Sequence, residues 1–259
     1  MVETRFVEAC GKRLKVLLYP GETLEEPLVL LHEGLGAVSM WRDFPQQLVK
    51  ATGRSVWAWD RWGYGESSPL LSKEADQGYL DYEAKEMLPA TLDALGIERA
   101  HFFGHSDGGT IALLFASVYG HRVASIVAQA CHLYVDELTI HGIQMARNAY
   151  DKGTLKGKLL KHHGENTDLC FNRWANTWLS AEHLSWNISK EVEAATAPVL
   201  AIQGDFDQYG TWGQVEAILS HVKGAVSYKV EGCRHMPHLE KEAEVVSVIS
   251  KFLRSIKAP

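Results

Sequence analysis

Cysteine is scarce in this 259-residue chain: Cys10, Cys131, Cys170 and Cys233 stand far apart, with no C-x-x-C pair among them. That spacing excludes a zinc finger or ribbon and a disulfide framework, so all four are expected as reduced thiols. Net positive charge is missing too, because 26 Lys and Arg face 32 Asp and Glu for a formal charge of −6. Such a balance gives no general attraction to nucleic acid or to an anionic membrane. Long apolar runs are also absent, and the start, Met1-Val2-Glu3-Thr4-Arg5-Phe6, carries an acid where a signal peptide is basic and then apolar. The expectation is a cytoplasmic protein without a membrane span, acting on a small molecule and needing neither metal nor cofactor.

Apolar residues are plentiful, 46% against 22% charged, which is enough for one large core. Residues 3–9 and 13–19 flank a Gly11-Lys12 turn and read as an antiparallel hairpin. After them the pattern changes to short, continuous apolar runs at 27–32, 55–59, 101–103, 123–128, 199–202 and 225–230. Strands covered on both faces have this pattern, whereas a half-exposed strand alternates. Helical spacing appears between them, in Leu80, Ala84, Met87, Leu88, Leu92 and Leu95 and again in Val245, Val248, Ile249, Phe252 and Leu253. Strand and helix in alternation predict an α/β fold with a mainly parallel sheet.

The alternation stops between about 132 and 196, where polar and aromatic residues replace the next expected strand. Helix-like pieces at 143–150 and 172–179 place Trp174 and Trp178 one turn apart. No repeat, low-complexity tract or linker interrupts the chain, so residues 1–259 read as one domain carrying a lid at 132–196.

Chemistry concentrates in Gly104-His105-Ser106-Asp107-Gly108-Gly109, between an apolar strand and the helical run 110–119. A serine on so tight a turn is held in a strained backbone with its hydroxyl projecting at the carboxyl edge of the sheet. The helix that follows offers unpaired N–H groups and a positive dipole end to a developing oxyanion. A helix-capping serine is the simpler use of such a turn, but the strand before it and helix after it favour a nucleophile. Such a serine needs a base, and twelve histidines compete for that role. Gly204-Asp205-Phe206-Asp207 offers two carboxylates to orient that base.

The chain resembles the α/β-hydrolase superfamily over nearly its whole length. The resemblance is carried by Leu30-Leu31-His32-Glu33-Gly34-Leu35-Gly36, Asp60-Arg61-Trp62-Gly63-Tyr64-Gly65-Glu66-Ser67, the Gly104–Gly109 elbow, Gly204-Asp205-Phe206-Asp207 and Arg234-His235-Met236-Pro237-His238. It implies an eight-stranded sheet with helices on both faces, a helical cap inserted after strand six, and the order serine, acid, histidine along the chain. On that pattern Ser106 is the nucleophile, His235 the base and Asp207 the orienting acid, while His162, His163 and His221 fall to the solvated surface. The oxyanion donors would be the backbone N–H groups of Gly34 and Asp107. Glu33 stands where the family pattern has glycine, and it joins Trp174 and Trp178 as a candidate substrate contact. Arg147 and Arg173 are further candidates for a substrate carboxylate.

The resemblance predicts a serine hydrolase of small carboxylic esters, lactones or thioesters, working through an acyl-enzyme. Carbon–carbon bond hydrolysis of an anionic ring-cleavage product uses the same three residues, and a ligand receptor could retain them too. Haloalkane dehalogenases of this fold use an aspartate nucleophile, and Ser106 argues against that reading.

Overall fold

The computed structural model describes residues 1–256. The strands β1 (Glu3–Ala9) and β2 (Lys12–Tyr19) form the antiparallel hairpin, paired from Glu3 with Leu18 to Ala9 with Lys12. Then come β3 (Leu28–Leu31), α1 (Phe44–Thr52), β4 (Val56–Trp59), α2 (Tyr79–Tyr82), α3 (Leu88–Leu95), β5 (Ala100–His105), α4 (Asp107–Val118) and β6 (Val123–Gln129). Three helices, α5 (Glu137–Asp151), α6 (Thr154–His163) and α7 (Thr167–Trp178), separate β6 from β7 (Val199–Gly204). The chain closes with α8 (Gly213–His221), β8 (Val226–Val230), α9 (Pro237–Glu240) and α10 (Glu242–Ser255). No helix among the described residues is long and apolar enough to cross a membrane.

The sheet has eight strands in the order β1-β2-β4-β3-β5-β6-β7-β8. From β4 to β8 every neighbour is parallel, and only β2, the inner strand of the hairpin, runs against them. The continuous apolar runs follow from coverage on both sides. Phe102 packs into the core layer with Ile111 and Phe115 of α4, while Phe103, pointing the other way, packs with Trp41 and Phe44.

The spacing over Leu80–Leu95 forms one helical stretch with a π-helical turn at Glu83–Met87 joining α2 to α3. Its cause is local. Pro89 has no N–H to return to the turn before it, which loosens the ladder there. The carbonyl of Lys85 instead accepts the hydroxyl of Tyr119 at 3.0 Å.

His163 is not the surface residue the sequence suggested. It is 2% exposed, takes the N–H of Gly65 on Nδ1 at 3.0 Å and donates from Nε2 to the carbonyl of Leu35 at 2.9 Å. It thereby ties the end of α6 to the loops after β3 and β4.

Candidate active site

Strand β5 ends at His105 and α4 begins at Asp107, which leaves Ser106 alone between them at φ 52° and ψ −119°. A non-glycine residue with that φ is strained and persists only where its surroundings over-determine it. Here the Ser106 N–H donates to the Gln129 carbonyl at 2.8 Å. Two glycines allow the crowding on either side. A Cβ on Gly104 would lie 2.2 Å from the Gly108 carbonyl oxygen, and one on Gly108 only 2.0 Å from that of Leu31. The side chain of Ser106 therefore projects beyond the ends of β3 and β5. Alanine at Gly108 is expected to destabilise the fold by about 1–3 kcal/mol or more, because backbone must move. Chemical denaturation checks this, and an unchanged midpoint would remove the close-approach argument.

His235 lies between β8 and α9, and its Nδ1–H donates to both carboxylate oxygens of Asp207, at 2.8 and 3.0 Å. Asp207 also accepts the N–H of Tyr209 at 2.8 Å, which fixes the carboxylate before the ring meets it. Asp205 faces elsewhere and accepts the N–H of Cys233 at 3.1 Å, joining the two loops. Burial alone would lower the His235 pKa, but the charge and hydrogen bond of Asp207 outweigh it and raise the ring above an ordinary histidine. His238 is occupied differently: it is buried, accepts the Gln129 amide on Nδ1 at 2.7 Å and packs against Trp41 and Phe44. Burial drives its pKa far down, so it stays neutral.

Ser106 and His235 line one cavity of about 220 Å³. No hydrogen bond joins the Ser106 hydroxyl to the ring, so proton transfer needs that side chain to turn onto Nε2. Such gaps are common before substrate binds. Gly34 and Asp107 lie on the same wall, and Ile143, Leu155, Leu159, Trp174 and Trp178 cover it from α5, α6 and α7. Trp174 lies close over Gly34, since a Cβ there would be 2.2 Å from its indole nitrogen. The indole N–H of Trp178 is taken up by the Tyr79 hydroxyl at 2.8 Å.

Glu33 also borders the cavity, with Oε2 3.3 Å from Nδ1 of His105. Burial opposes its ionisation, but the hydrogen bond and charge of His105 prevail and hold the carboxyl below the usual range. Space for this side chain comes from Gly36, where a Cβ would sit 2.4 Å from the Glu33 carboxylate. The Asp107 carboxylate accepts the Tyr79 hydroxyl at 2.6 Å, with Arg61 3.8 Å off. Neither Arg147 nor Arg173 lines the cavity. Arg147 binds Asn172 and Asn176, and Arg173 is buried against Tyr64 and Tyr79.

A family model described as alpha/beta hydrolase fold matches residues 26–153, the stretch holding β3, the elbow and β6. A solved serine hydrolase from the polyaromatic-hydrocarbon-degrading bacterium Cycloclasticus zankles superposes over 100% of both chains, with a TM-score of 0.82 at 16% identity. The chain belongs to the α/β-hydrolase superfamily. Among curated relatives, a 2-hydroxy-6-oxononadienedioate/2-hydroxy-6-oxononatrienedioate hydrolase of Comamonas testosteroni is 26% identical over 83% of each chain. A proline iminopeptidase of Lactobacillus crispatus is 23% identical over 88% of this chain and 89% of its own.

Within this α/β-hydrolase, sequence reasoning passed over three residues at the site. His105 bridges Glu33 to the His235 carbonyl, which its Nε2 meets at 2.8 Å. His132, just after β6, lines the cavity and is kept neutral by burial, its Nε2–H donating to the Tyr209 carbonyl at 2.9 Å. Arg61, in the turn after β4, lies against the loop after β3, its Nη2 donating to the Glu33 carbonyl at 3.0 Å. His105 carried a visible signal, since it stands inside the elbow motif itself.

Proposed function

We propose that this α/β-hydrolase cleaves a small, uncharged carboxylic ester, lactone or thioester through an acyl-enzyme. Ser106 attacks the carbonyl carbon while His235 takes its proton. The carbonyl oxygen becomes an oxyanion that accepts hydrogen bonds from the N–H groups of Gly34 and Asp107, and the C–O or C–S bond then breaks as His235 returns the proton to the leaving group. Water, deprotonated by the same ring, frees the acid and restores Ser106. Asp207 holds the ring in the tautomer with Nε2 free and stabilises its charged form. Trp174 and Trp178 make apolar contact with substrate, and residues 132–196 act as the lid.

One observation carries this reading: a serine on a strained elbow and a His235–Asp207 pair meet at a single, largely apolar cavity. Its charge character supports the substrate class. Among the described residues no Lys or Arg lines it, and Glu33 at its edge is ionised. The Comamonas relative acts, by its name, on a dienedioate, whose two carboxylates would find no Lys or Arg among the described residues lining this cavity. Glu33 therefore serves as a brake on anionic substrates and as a hydrogen-bond acceptor for neutral ones.

Nitrophenyl esters test this directly. Acetate and butyrate esters are expected to turn over many times per active site, which also separates an enzyme from a ligand receptor. A nitrophenyl hemisuccinate should show kcat/KM lower by about 10-fold or more, the effect of roughly 1.4 kcal/mol of like-charge repulsion. Faster turnover of an anionic dienoate than of any neutral ester would overturn the substrate class.

A further inference from the structure

We propose that Arg61 is the positioning residue of the oxyanion hole, holding the Glu33–Gly34 peptide and the Asp107 carboxylate from beneath so that both backbone donors face the cavity. The proposal rests on the serine-hydrolase reading above. Arg61 is 1% exposed, and its guanidinium reaches both halves of the hole. Nη2 donates to the Glu33 carbonyl at 3.0 Å and lies 3.8 Å from Oδ2 of Asp107.

The Glu33 carbonyl is held by more than Arg61. It also accepts the Gly36 N–H at 3.0 Å and Nδ1–H of His32 at 2.8 Å. The His32 tautomer is settled by Arg61 again, whose own backbone N–H donates to His32 Nε2 at 3.1 Å. Three donors converge on one oxygen with two lone pairs, so that peptide cannot turn over without losing all of them. In a trans peptide the N–H points opposite to the C=O. Fixing the carbonyl toward Arg61 therefore aims the Gly34 N–H away from Arg61, and Gly34 itself lines the cavity. Donors on the carbonyl also polarise the peptide and strengthen its N–H as a donor.

Asp107 poses the complementary problem, because its backbone N–H is needed while its side chain carries negative charge. A free carboxylate beside a developing oxyanion would raise the barrier the hole is meant to lower. Arg61 and the Tyr79 hydroxyl together draw it below the hole. Packing alone is a poor account of Arg61, since its Nε and Nη1 are buried without a hydrogen-bond partner among the described residues. An apolar side chain of similar volume would fill the space without that desolvation cost.

The test compares Arg61→Met and Arg61→Lys with wild type on the best neutral ester, alongside melting curves. Arg61→Met should lower kcat by about 10²-fold with KM within about threefold, since the stabilisation exists only in the transition state. Affinity for an alkylboronic acid, which forms a tetrahedral adduct on Ser106, should fall in parallel, whereas affinity for a neutral amide analogue should not. Arg61→Lys keeps the charge but replaces the planar guanidinium with a single ammonium on a shorter side chain, and should lose about 10-fold or more. Either variant folded and within about threefold of wild-type kcat overturns the proposal. So does a loss carried by KM and amide affinity, or failure of both variants to fold, which assigns Arg61 to stability alone. Failure of the underlying reading looks different: there the Ser106→Ala variant hydrolyses the ester as well as wild type.

Discussion

Alanine at position 106 is expected to lower kcat/KM on the best neutral ester by about 10⁴-fold or more while the protein melts within a few degrees of wild type. The separation of the two effects follows from the structure. The Ser106 side chain makes no hydrogen bond among the described residues, so removing its hydroxyl orphans no partner there. What holds the elbow is backbone, namely the Ser106 N–H on the Gln129 carbonyl and the close approach of Gly108 to Leu31. Alanine keeps all of it and bears the same positive φ as serine. The residual rate should come from binding and the oxyanion donors, which the substitution leaves in place. An activity-based phosphonate gives the second readout: wild-type protein should carry its adduct on Ser106 and the variant should carry none. An adduct mapped to another residue, or equal hydrolysis by the variant, removes Ser106 as nucleophile.

The parts of this molecule that were legible in sequence are those whose constraints are local. The parallel strands announced themselves because neighbours such as Phe102 and Phe103 enter opposite core layers, so both had to be apolar. The elbow was legible for a related reason: a serine forced to φ 52° must have small residues where the chain crowds it, and three glycines stand within three positions of it. Helix α6 lacked such a signal. Only Leu159 and His163 of its ten residues are buried, so its lysine-rich sequence shows no apolar stripe. His163 looked like a surface residue because the groups that bury it, Gly65 and Leu35, lie about a hundred positions away.

The choice between Asp205 and Asp207 shows where local reading ends. Both carboxylates occupy one loop, and only the direction of each side chain decides its role: Asp205 meets Cys233 and Asp207 meets His235. Similarity to the family pattern ranked them, while composition could not. Glu33 was harder still. Its partner His105 is 72 residues on, and His105 in turn holds the carbonyl of His235 across 130 residues. A carboxylate in place of the family's glycine is thus balanced by a histidine in the elbow and given room by Gly36. The same three positions place the loop that carries the proposed base.

Exchanging Asp207 for asparagine is expected to lower kcat by about 10⁴-fold and to move the acid limb of the pH–rate profile to lower pH. The ring acts as a base only when neutral, so wild-type kcat/KM should fall as pH drops through the His235 pKa, which Asp207 raises above the ordinary histidine value. Asparagine removes both the charge and the hydrogen bond that raise it, and leaves burial, which lowers it. The slower variant should therefore keep its residual activity to more acid pH than wild type does. Loss of rate follows because an amide at Asp207 can donate to Nδ1, which puts the proton on Nε2 and denies that nitrogen to Ser106. It also leaves the charged ring without its counter-charge in the transition state. Measuring kcat/KM across pH for both proteins separates this from simple damage to the loop. A carboxylate that only braced the Tyr209 turn would lower the rate and leave the limb where it was.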